Sequence, residues 1–264
     1  MSPPKASGEI HSLVKAFSVL DCFASDHPQL GVREIARQLN MSTSTVGRLL
    51  VTMHDAGILS QDPQTRLYRM GPKVLSWSAV YTNGLDVRAK AHPMLEELLR
   101  LTRETVNLYA LDGTERVCVD RIESPQRVRV IVQVGERMPL HAGSSGKAIL
   151  AFASPELIKQ ILARPLERMT SNTITSRKKL LDELQLIRTQ GYAVSHSERF
   201  ADATGLAAPI FDAEGKVVAA LNVAGPEIRF SDIQVKKTAP KVIELAGQVS
   251  RLLGYAGPYP YTEK

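Results

Sequence analysis

The sequence predicts an α+β protein built from two domains. Its 264 residues exceed what one compact domain usually needs and suit a small and a medium-sized domain. Apolar residues recur at helical spacing up to residue 56, whereas strand patterns and turns dominate beyond residue 104. We expect a disordered N-terminus at 1–9, an N-terminal domain at 10–71, a linker helix at 72–85, a larger domain at 86–256 and a flexible C-terminus at 257–264.

The N-terminal domain is predicted to contain three helices and a β-hairpin. The first helix begins at Ile10 and ends before His27-Pro28, because the residue before a proline is pushed out of the helical region. A tight break at 40–42 separates the second and third helices, and Gly57 caps the third. The predicted helices after the first span 32–39 and 43–56, and the hairpin strands span 58–61 and 66–70 around a turn at 62–65.

The remaining chain alternates between helices and strands. A linker helix at 73–82 carries Val74, Trp77 and Val80, which pack either against a neighbouring subunit or within their own chain. A leucine stripe on the next helix, 86–104, indicates core or dimer contact. The other predicted helices span 144–152, 155–162, 176–190 and 231–253, and the predicted strands span 105–111, 116–122, 128–134, 192–195, 205–211 and 216–223.

Helix, helix, short turn, helix and hairpin is the order of a winged helix-turn-helix, whose third helix lies in the major groove of DNA. The front of this third helix is polar and small, which permits close approach to phosphates and base edges. Arg48 is long enough to reach a guanine edge. The candidate DNA-binding residues are Ser42, Thr43, Ser44, Thr45 and Arg48 on the helix and Gln64, Thr65 and Arg66 at the wing tip.

Two alternatives stay open for these residues. The run 42–45 is also what a helix cap followed by a solvated face requires, and Arg48 serves either as a base reader or as a phosphate contact. Net charge does not decide between them. The chain carries +6 overall, but its first 80 residues hold eight basic and six acidic residues and so contribute only +2.

Long stretches of the chain resemble IclR-type bacterial transcription regulators. They are LVKAFSVLDCF and LGVREIARQLNMSTSTVGRLLVTMHDAGILSQDPQTRLYRMGPKVL at the N-terminus, then TRETVNLYALDGTERVCVDRIES, VGERMPLHAGSSGKAILAF, GYAVSHSE and GLAAPIFDAEGKVVAALNVAGP. The resemblance covers the chain from about Ile10 to Leu253. It implies a C-terminal GAF-like effector domain with an antiparallel sheet flanked by helices, and a homodimer or dimer of dimers on inverted-repeat operators. A repressor is the working expectation.

The resemblance also implies a pocket for a small organic acid beside the segment 141–147. The family pattern assigns ligand binding to Val130, Met138, His141, Ser144, Ser145, Ser195 and Gly205. Relatives that bind glyoxylate or pyruvate carry an acidic residue at the position of Ser195 and a cysteine at that of Gly205. The smaller, neutral pair here predicts a roomier pocket and a larger effector, such as an aromatic acid or its derivative.

No cofactor or metal is expected. Gly143-Ser-Ser-Gly146-Lys147 lacks the spacing and the hydroxyl of a nucleotide-binding loop, and is interpreted as a helix start suited to a carboxylate or as an ordinary cap. No histidine pairs with a cysteine or carboxylate at metal-ligand spacing, although His141 and His196 have the chance to meet in space. An enzyme with a GAF-like catalytic domain is the alternative function, but Ser195 and His196 are neighbours on a strand and point to opposite faces.

The sequence also predicts where the protein works. The first ten residues lack the apolar core of a signal peptide, and no apolar stretch approaches the ~18 residues of a membrane span. Cys22 and Cys118 lie in apolar runs of different predicted domains, which favours two free thiols over a disulfide. We therefore expect a cytoplasmic protein whose partners are double-stranded DNA and a small organic acid.

Overall fold

A computed structural model describes residues 10–24, 26–83 and 86–259 of the chain. The chain divides between residues 84 and 85 into two compact units, each with its own core. The helix predicted as a linker belongs to the first unit by this division. Of its large apolar side chains, Val74 is half-buried, Trp77 is 49% exposed and Val80 is 75% exposed. Contact of these side chains with a neighbouring subunit stays a prediction.

The first unit has the predicted element order. Its helices are α1 (His11–Leu20), α2 (Val32–Gln38), α3 (Thr43–Asp55) and α4 (Lys73–Asn83), and its two antiparallel strands are β1 (Leu59–Gln61) and β2 (Tyr68–Met70). Val46, Leu50 and Met53 recur at helical spacing and are buried, which fixes the face of α3 that packs inward. Helix α1 ends at Leu20, earlier than expected, because the next turns tighten to i→i−3 hydrogen bonds.

Two turns set the position of α3. Asn40 has φ 50° between α2 and α3, a left-handed conformation that asparagine tolerates better than most residues. Gly57 has φ 75° after α3, and the N–H of Ile58 bonds back to the carbonyl of Met53 at 2.9 Å. The predicted break at 40–42 and the glycine cap are thus both confirmed.

The second unit is a six-stranded antiparallel sheet covered by helices on both faces, as the resemblance predicted. The strand order is β5-β4-β3-β8-β7-β6. One face packs on α5 and α9, and the other on α6 and α8. The elements are α5 (Asp86–Thr102), β3 (Thr105–Asp112), β4 (Glu115–Ile122), β5 (Arg137–Pro139), α6 (Ser144–Ala151), α7 (Pro155–Ala163), α8 (Arg177–Gln190), β6 (Ala193–His196), β7 (Ala203–Phe211), β8 (Val217–Pro226) and α9 (Asp232–Leu252).

The strand predicted at 128–134 is wrong. The edge of β4 is occupied by β5 and by backbone hydrogen bonds from Cys118 to Glu136 and from Gly135 to Cys118. The carbonyls of Val130 and Val132 instead accept the side chains of Thr105 and Arg121. Val132 is buried, but the backbone of this segment has no neighbouring strand with which to form a ladder of hydrogen bonds. A β-strand requires such a partner, so the segment does not form one.

Two further boundaries differ from expectation. Helix α5 ends at Thr102 because Arg103 is left-handed, with φ 57°, so Glu104 leaves the helix and forms two hydrogen bonds to Arg229. At the C-terminus, the expectation of flexibility is corrected for residues 257–259. The Tyr259 ring packs against α9, and its hydroxyl donates to the carbonyl of Pro209 at 2.7 Å. Residues 1–9 and 260–264 lie outside the described ranges.

Candidate functional site

The polar front of α3 is an interlocked set of hydroxyl groups. Ser42 is the N-cap, and its Oγ accepts the backbone N–H of Thr45 at 3.2 Å. The same oxygen lies 2.8 Å from Thr45 Oγ1 and 3.1 Å from Ser44 Oγ. Capping satisfies one of the N–H groups that a helix start leaves without a partner. Ser42 thus serves as the cap, while Thr43 and Ser44 stay exposed beside it.

Arg48 and the hairpin tip complete the exposed polar surface of the first unit. Gln64, Thr65 and Arg66 are exposed at the tip, and Arg48 is exposed on α3. Asp62 Oδ1 accepts the backbone N–H groups of Gln64 at 2.8 Å and Thr65 at 2.9 Å. These hydrogen bonds lower the pKa of the Asp62 carboxyl and hold the tip in one shape. The predicted DNA-binding side chains are therefore exposed, except for Thr45, which is half-buried.

In the second unit, a cavity of about 50 Å³ lies beside the first turn of α6. Two grooves of about 770 and 820 Å³ beside Phe152 and Phe230 are larger, but their linings are mostly half-buried or exposed. The small cavity is the better site because buried polar side chains converge on it. Its lining consists of Tyr109, Arg116, Val130, Val132, Gly143, Ser144, Ser145, Ser195, Glu198, Arg199, Phe200, Ala203, Thr204, Gly205, Asn222 and Ala224.

Buried polar residues fix the position of Ser144 in this cavity. Its Oγ accepts a hydrogen bond from Asn222 Nδ2 at 3.0 Å, and Asn222 Oδ1 accepts another from Asn107 at 3.0 Å. Gly205 pairs with Ser195 across β6 and β7. A Cβ atom at position 205 would lie 2.5 Å from Ser144 Oγ and 3.0 Å from Ser195 Oγ. Glycine at this position therefore leaves room for both serine hydroxyls.

An ion-pair network holds the first turn of α6. Glu198 Oε2 accepts the Gly143 N–H at 2.9 Å, and Glu198 Oε1 lies 2.5 Å from Lys147 Nζ. Lys147 Nζ also contacts Glu183 Oε1 and the carbonyl of Val194, each at 2.8 Å. A carboxylate at a helix N-terminus is favourable. Glu198 is thus both structural and part of the cavity wall.

The structure brings five of the seven predicted ligand-binding residues to the cavity: Val130, Ser144, Ser145, Ser195 and Gly205. Met138 and His141 lie elsewhere. Met138 is 2% exposed in the apolar core, and His141 Nε2 lies 2.9 Å from the carbonyl oxygen of Glu167. The cavity measures about 50 Å³ as the side chains stand, and a pocket roomier than that of glyoxylate-binding relatives stays a prediction.

Sequence reasoning missed other polar residues of the lining, among them Arg116, Thr204 and Asn222. Arg116 is buried on the partly charged strand β4, and Asn222 is buried inside the otherwise apolar strand β8. For Asn222, the polar residue within an apolar strand was a signal available in the sequence, because a buried polar group needs a hydrogen-bond partner.

The residues considered for hydrolytic catalysis and for metal binding do not come together among the described residues. Ser195 is buried at the cavity, whereas His196 on the opposite face lies 3.3 Å from Asp232, as the strand alternation predicted. Among the described residues, no three His, Cys, Asp or Glu side chains come together as a metal site. Within the same ranges, no helix has the length and apolar character needed to cross a bilayer.

Comparisons with known proteins agree on one family. The IclR helix-turn-helix domain matches residues 12–63, and the domain described as bacterial transcriptional regulator IclR C-terminal matches residues 79–251. The chain is 36% identical to the HTH-type transcriptional regulator BhcR of Paracoccus denitrificans, covering 92% of this chain and 88% of that protein.

Solved structures give the same result. The Thermotoga maritima IclR is 31% identical, with a TM-score of 0.80 over 94% of this chain and 100% of that one. An IclR homolog of Microbacterium hydrocarbonoxydans, complexed with 4-hydroxybenzoate, is 29% identical, with a TM-score of 0.81 over 92% of this chain and 98% of that one. The relatives are regulators, and the alternative of an enzyme finds no support. The chain belongs to the IclR family of DNA-binding bacterial transcription regulators.

Proposed function

We propose that the second unit senses a small organic acid in the cavity at α6 and that the bound acid changes the affinity of the first unit for its operator. The observation that carries this proposal is the convergence of Ser144, Ser145, Ser195 and Gly205 around one buried polar space. The N–H groups of a helix start have no partner within the helix and attract anions. A carboxylate is the anion that a small metabolite most commonly brings.

The size of the effector follows from the space available. The related Microbacterium protein was crystallised with 4-hydroxybenzoate, which supports a carboxylic acid as the ligand class. As the side chains stand here, 50 Å³ admits an acid of few heavy atoms. An aromatic acid enters only if cavity walls such as Phe200 and Val130 move aside. The proposal therefore favours small aliphatic acids and makes aromatic acids an outcome of the test.

DNA binding is proposed to use α3 in the major groove and the wing beside it. Phosphate contacts supply most of the affinity, and Arg48 and the helix front supply base contacts. We propose a homodimer, or a dimer of dimers, on an inverted-repeat operator in the cytoplasm. Exposed apolar side chains support self-association: Ile10, Leu13 and Phe17 on or beside α1, and Leu75, Trp77 and Val80 on α4.

Regulation requires that the acid bind one arrangement of the dimer better than another. Coupling of the size usual in allostery changes operator affinity about 5–150-fold. We propose that the protein acts as a repressor, released from DNA when the acid is bound. Linkage then demands the reciprocal effect, so operator DNA weakens acid binding by the same factor.

The experiment combines acid binding with DNA binding on the full chain. A panel of aliphatic and aromatic acids is screened by calorimetry, and each binder is added to a gel-shift assay with DNA from the region upstream of the gene. We expect at least one acid to bind and to change operator affinity. If no acid binds, the sensing function is wrong; if acids bind without affecting DNA affinity, the coupling is wrong.

A further inference from the structure

The cavity contains a buried cation that no carboxylate neutralises. Arg116 lies on β4 with 2% of its surface exposed. Its Nη1 donates to the carbonyl of Pro139, and its Nη2 lies 3.8 Å from the sulfur of Met138. Its guanidinium carbon is 5.4 Å from the centre of the Tyr109 ring. In the described part of the chain, its Nε has no hydrogen-bond partner and no carboxylate lies within ion-pair distance.

This guanidinium also lies against a positive end of a helix. A Cβ atom at Gly143 would be 3.1 Å from Arg116 Nη2, and one at Gly146 would overlap Nη1. Gly146 therefore makes room for the arginine and for the Leu140 carbonyl, while Gly143 also has φ 79°, which favours glycine. A cation at a helix N-terminus is unfavourable, because the helix dipole is positive there.

The neighbouring charged residues do not neutralise the positive charge of Arg116. Glu198 is shared between Lys147 and the Gly143 N–H, and Arg199 is paired with Glu136. Burial lowers the pKa of Arg116 to about 10, because the charged form loses water, yet the side chain remains protonated at neutral pH. A buried charge without a partner costs free energy that an arriving anion recovers.

A second unpartnered group faces the same space. Thr204 is 1% exposed, its Oγ1 has no hydrogen-bond partner among the described residues, and it lines the cavity beside Gly205. Apolar side chains of Val130 and Val132 border the rest. A ligand that satisfies the lining therefore offers one anionic group and one neutral hydrogen-bonding group.

From this arrangement we infer that Arg116 is a specificity-determining residue of the effector site and is the counter-ion for the carboxylate of a small monocarboxylic acid. The inference rests on the proposed function, because it assumes that this cavity binds the effector. One uncompensated cation selects one negative charge. A second carboxylate on the ligand would face Glu198 and the paired Arg199, where no further cation is available.

The test needs no identified effector. Wild-type protein is titrated with acetate, propanoate, lactate and benzoate, with the corresponding amides, and with malonate and succinate, at constant ionic strength. Binding is measured by calorimetry and by the shift of the thermal midpoint. We expect binding by at least one monocarboxylate, and binding at least tenfold weaker by its amide and by the dicarboxylates. If an acid and its amide bind equally well, the inference that the site recognises the carboxylate charge is wrong. The proposal that the cavity binds the effector would still stand.

Arg116→Met separates a recognition role from a structural one, and Arg137→Met, at an exposed and ion-paired arginine of β5, is the control. Arg116→Met keeps a long unbranched side chain but removes the buried charge. We therefore expect the thermal unfolding midpoint of the ligand-free variant to be unchanged or higher than that of the wild type. The same variant should bind the acid about 30-fold more weakly or worse. Arg137→Met should bind it normally.

Each other outcome has a definite meaning. If Arg116→Met keeps wild-type affinity for the acid, the inference is wrong while the proposed function stands. If Arg116→Met does not fold, the arginine is structural, and the comparison of acid with amide on the wild-type chain decides charge recognition alone. If no acid binds the wild-type chain, the proposed function itself fails.

Discussion

Two lysines of the second unit each contact two glutamates but differ in burial, and they allow a quantitative prediction. Lys147 contacts Glu198 at 2.5 Å and Glu183 at 2.8 Å, with 1% of its side chain exposed. Lys241 contacts Glu97 at 2.8 Å and Glu244 at 2.9 Å, with 30% of its side chain exposed. The two sites match in the number of carboxylates, although Lys147 also donates to the carbonyl of Val194. The main difference between the two ion pairs is burial.

We predict that Lys147→Met strongly destabilises the second unit. The substitution leaves Glu198, whose side chain is 7% exposed, as a buried carboxylate without its cation. Breaking a buried ion pair from one side costs about 3–5 kcal/mol. For a unit of this size, each kcal/mol lowers the thermal midpoint by about 2–4 °C, so the expected drop is about 6–20 °C. Lys241→Met should leave the midpoint nearly unchanged, because water screens an exposed pair.

Thermal unfolding followed by far-ultraviolet circular dichroism measures both variants beside the wild type. Adding Glu198→Gln to Lys147→Met removes the stranded charge and should recover part of the loss. Equal midpoints for Lys147→Met and Lys241→Met would refute the reasoning, since burial would then make no difference to the cost of an unpaired carboxylate. A double variant no more stable than Lys147→Met would show that lost packing, and not charge, is responsible.

Three further predictions concern DNA, effector and thiols. Arg48→Ala should weaken specific operator binding about 5–150-fold in a gel-shift assay, whereas Arg164→Ala on the second unit should not; equal affinities would remove Arg48 from the interface. Gly205→Ala should abolish the response to the acid while leaving operator affinity without acid intact, because the new methyl meets Ser144 and Ser195; an unaltered acid titration contradicts this. Cys118 should resist iodoacetamide in native protein and react after unfolding, as mass spectrometry will show, because burial raises its pKa to about 12; fast native labelling would contradict its burial.

The DNA-binding unit was predictable because its signals are local. The buried stripe of α3, the cap at Ser42 and the left-handed turn at Asn40 all follow from residues within a few positions of one another. The strand predicted at 128–134 failed for the opposite reason. Its alternation is real, but the edge it needed is occupied by β5 and the turn that precedes it.

The proposed effector cavity shows the same limit of local sequence patterns. The resemblance placed Ser144, Ser195 and Gly205 together, but it also suggested Met138, which packs in the core. Arg116 was missed because its meaning depends on what surrounds it. A buried arginine in a strand becomes unusual only when the structure shows that its Nε lacks a hydrogen-bond partner and that no carboxylate of the described residues lies within ion-pair distance.

By itself, the sequence determined the family, through its resemblance to known regulators, and the two-domain organisation with its helix-turn-helix, because helix periodicity, caps and turns act over short distances. Only the tertiary structure decided which polar groups share the cavity at α6 and which of them lack partners. Asn107 and Asn222 are 115 residues apart and meet because their strands are adjacent in the sheet. Electrostatic balance inside a protein depends on such distant contacts, and no local pattern encodes it.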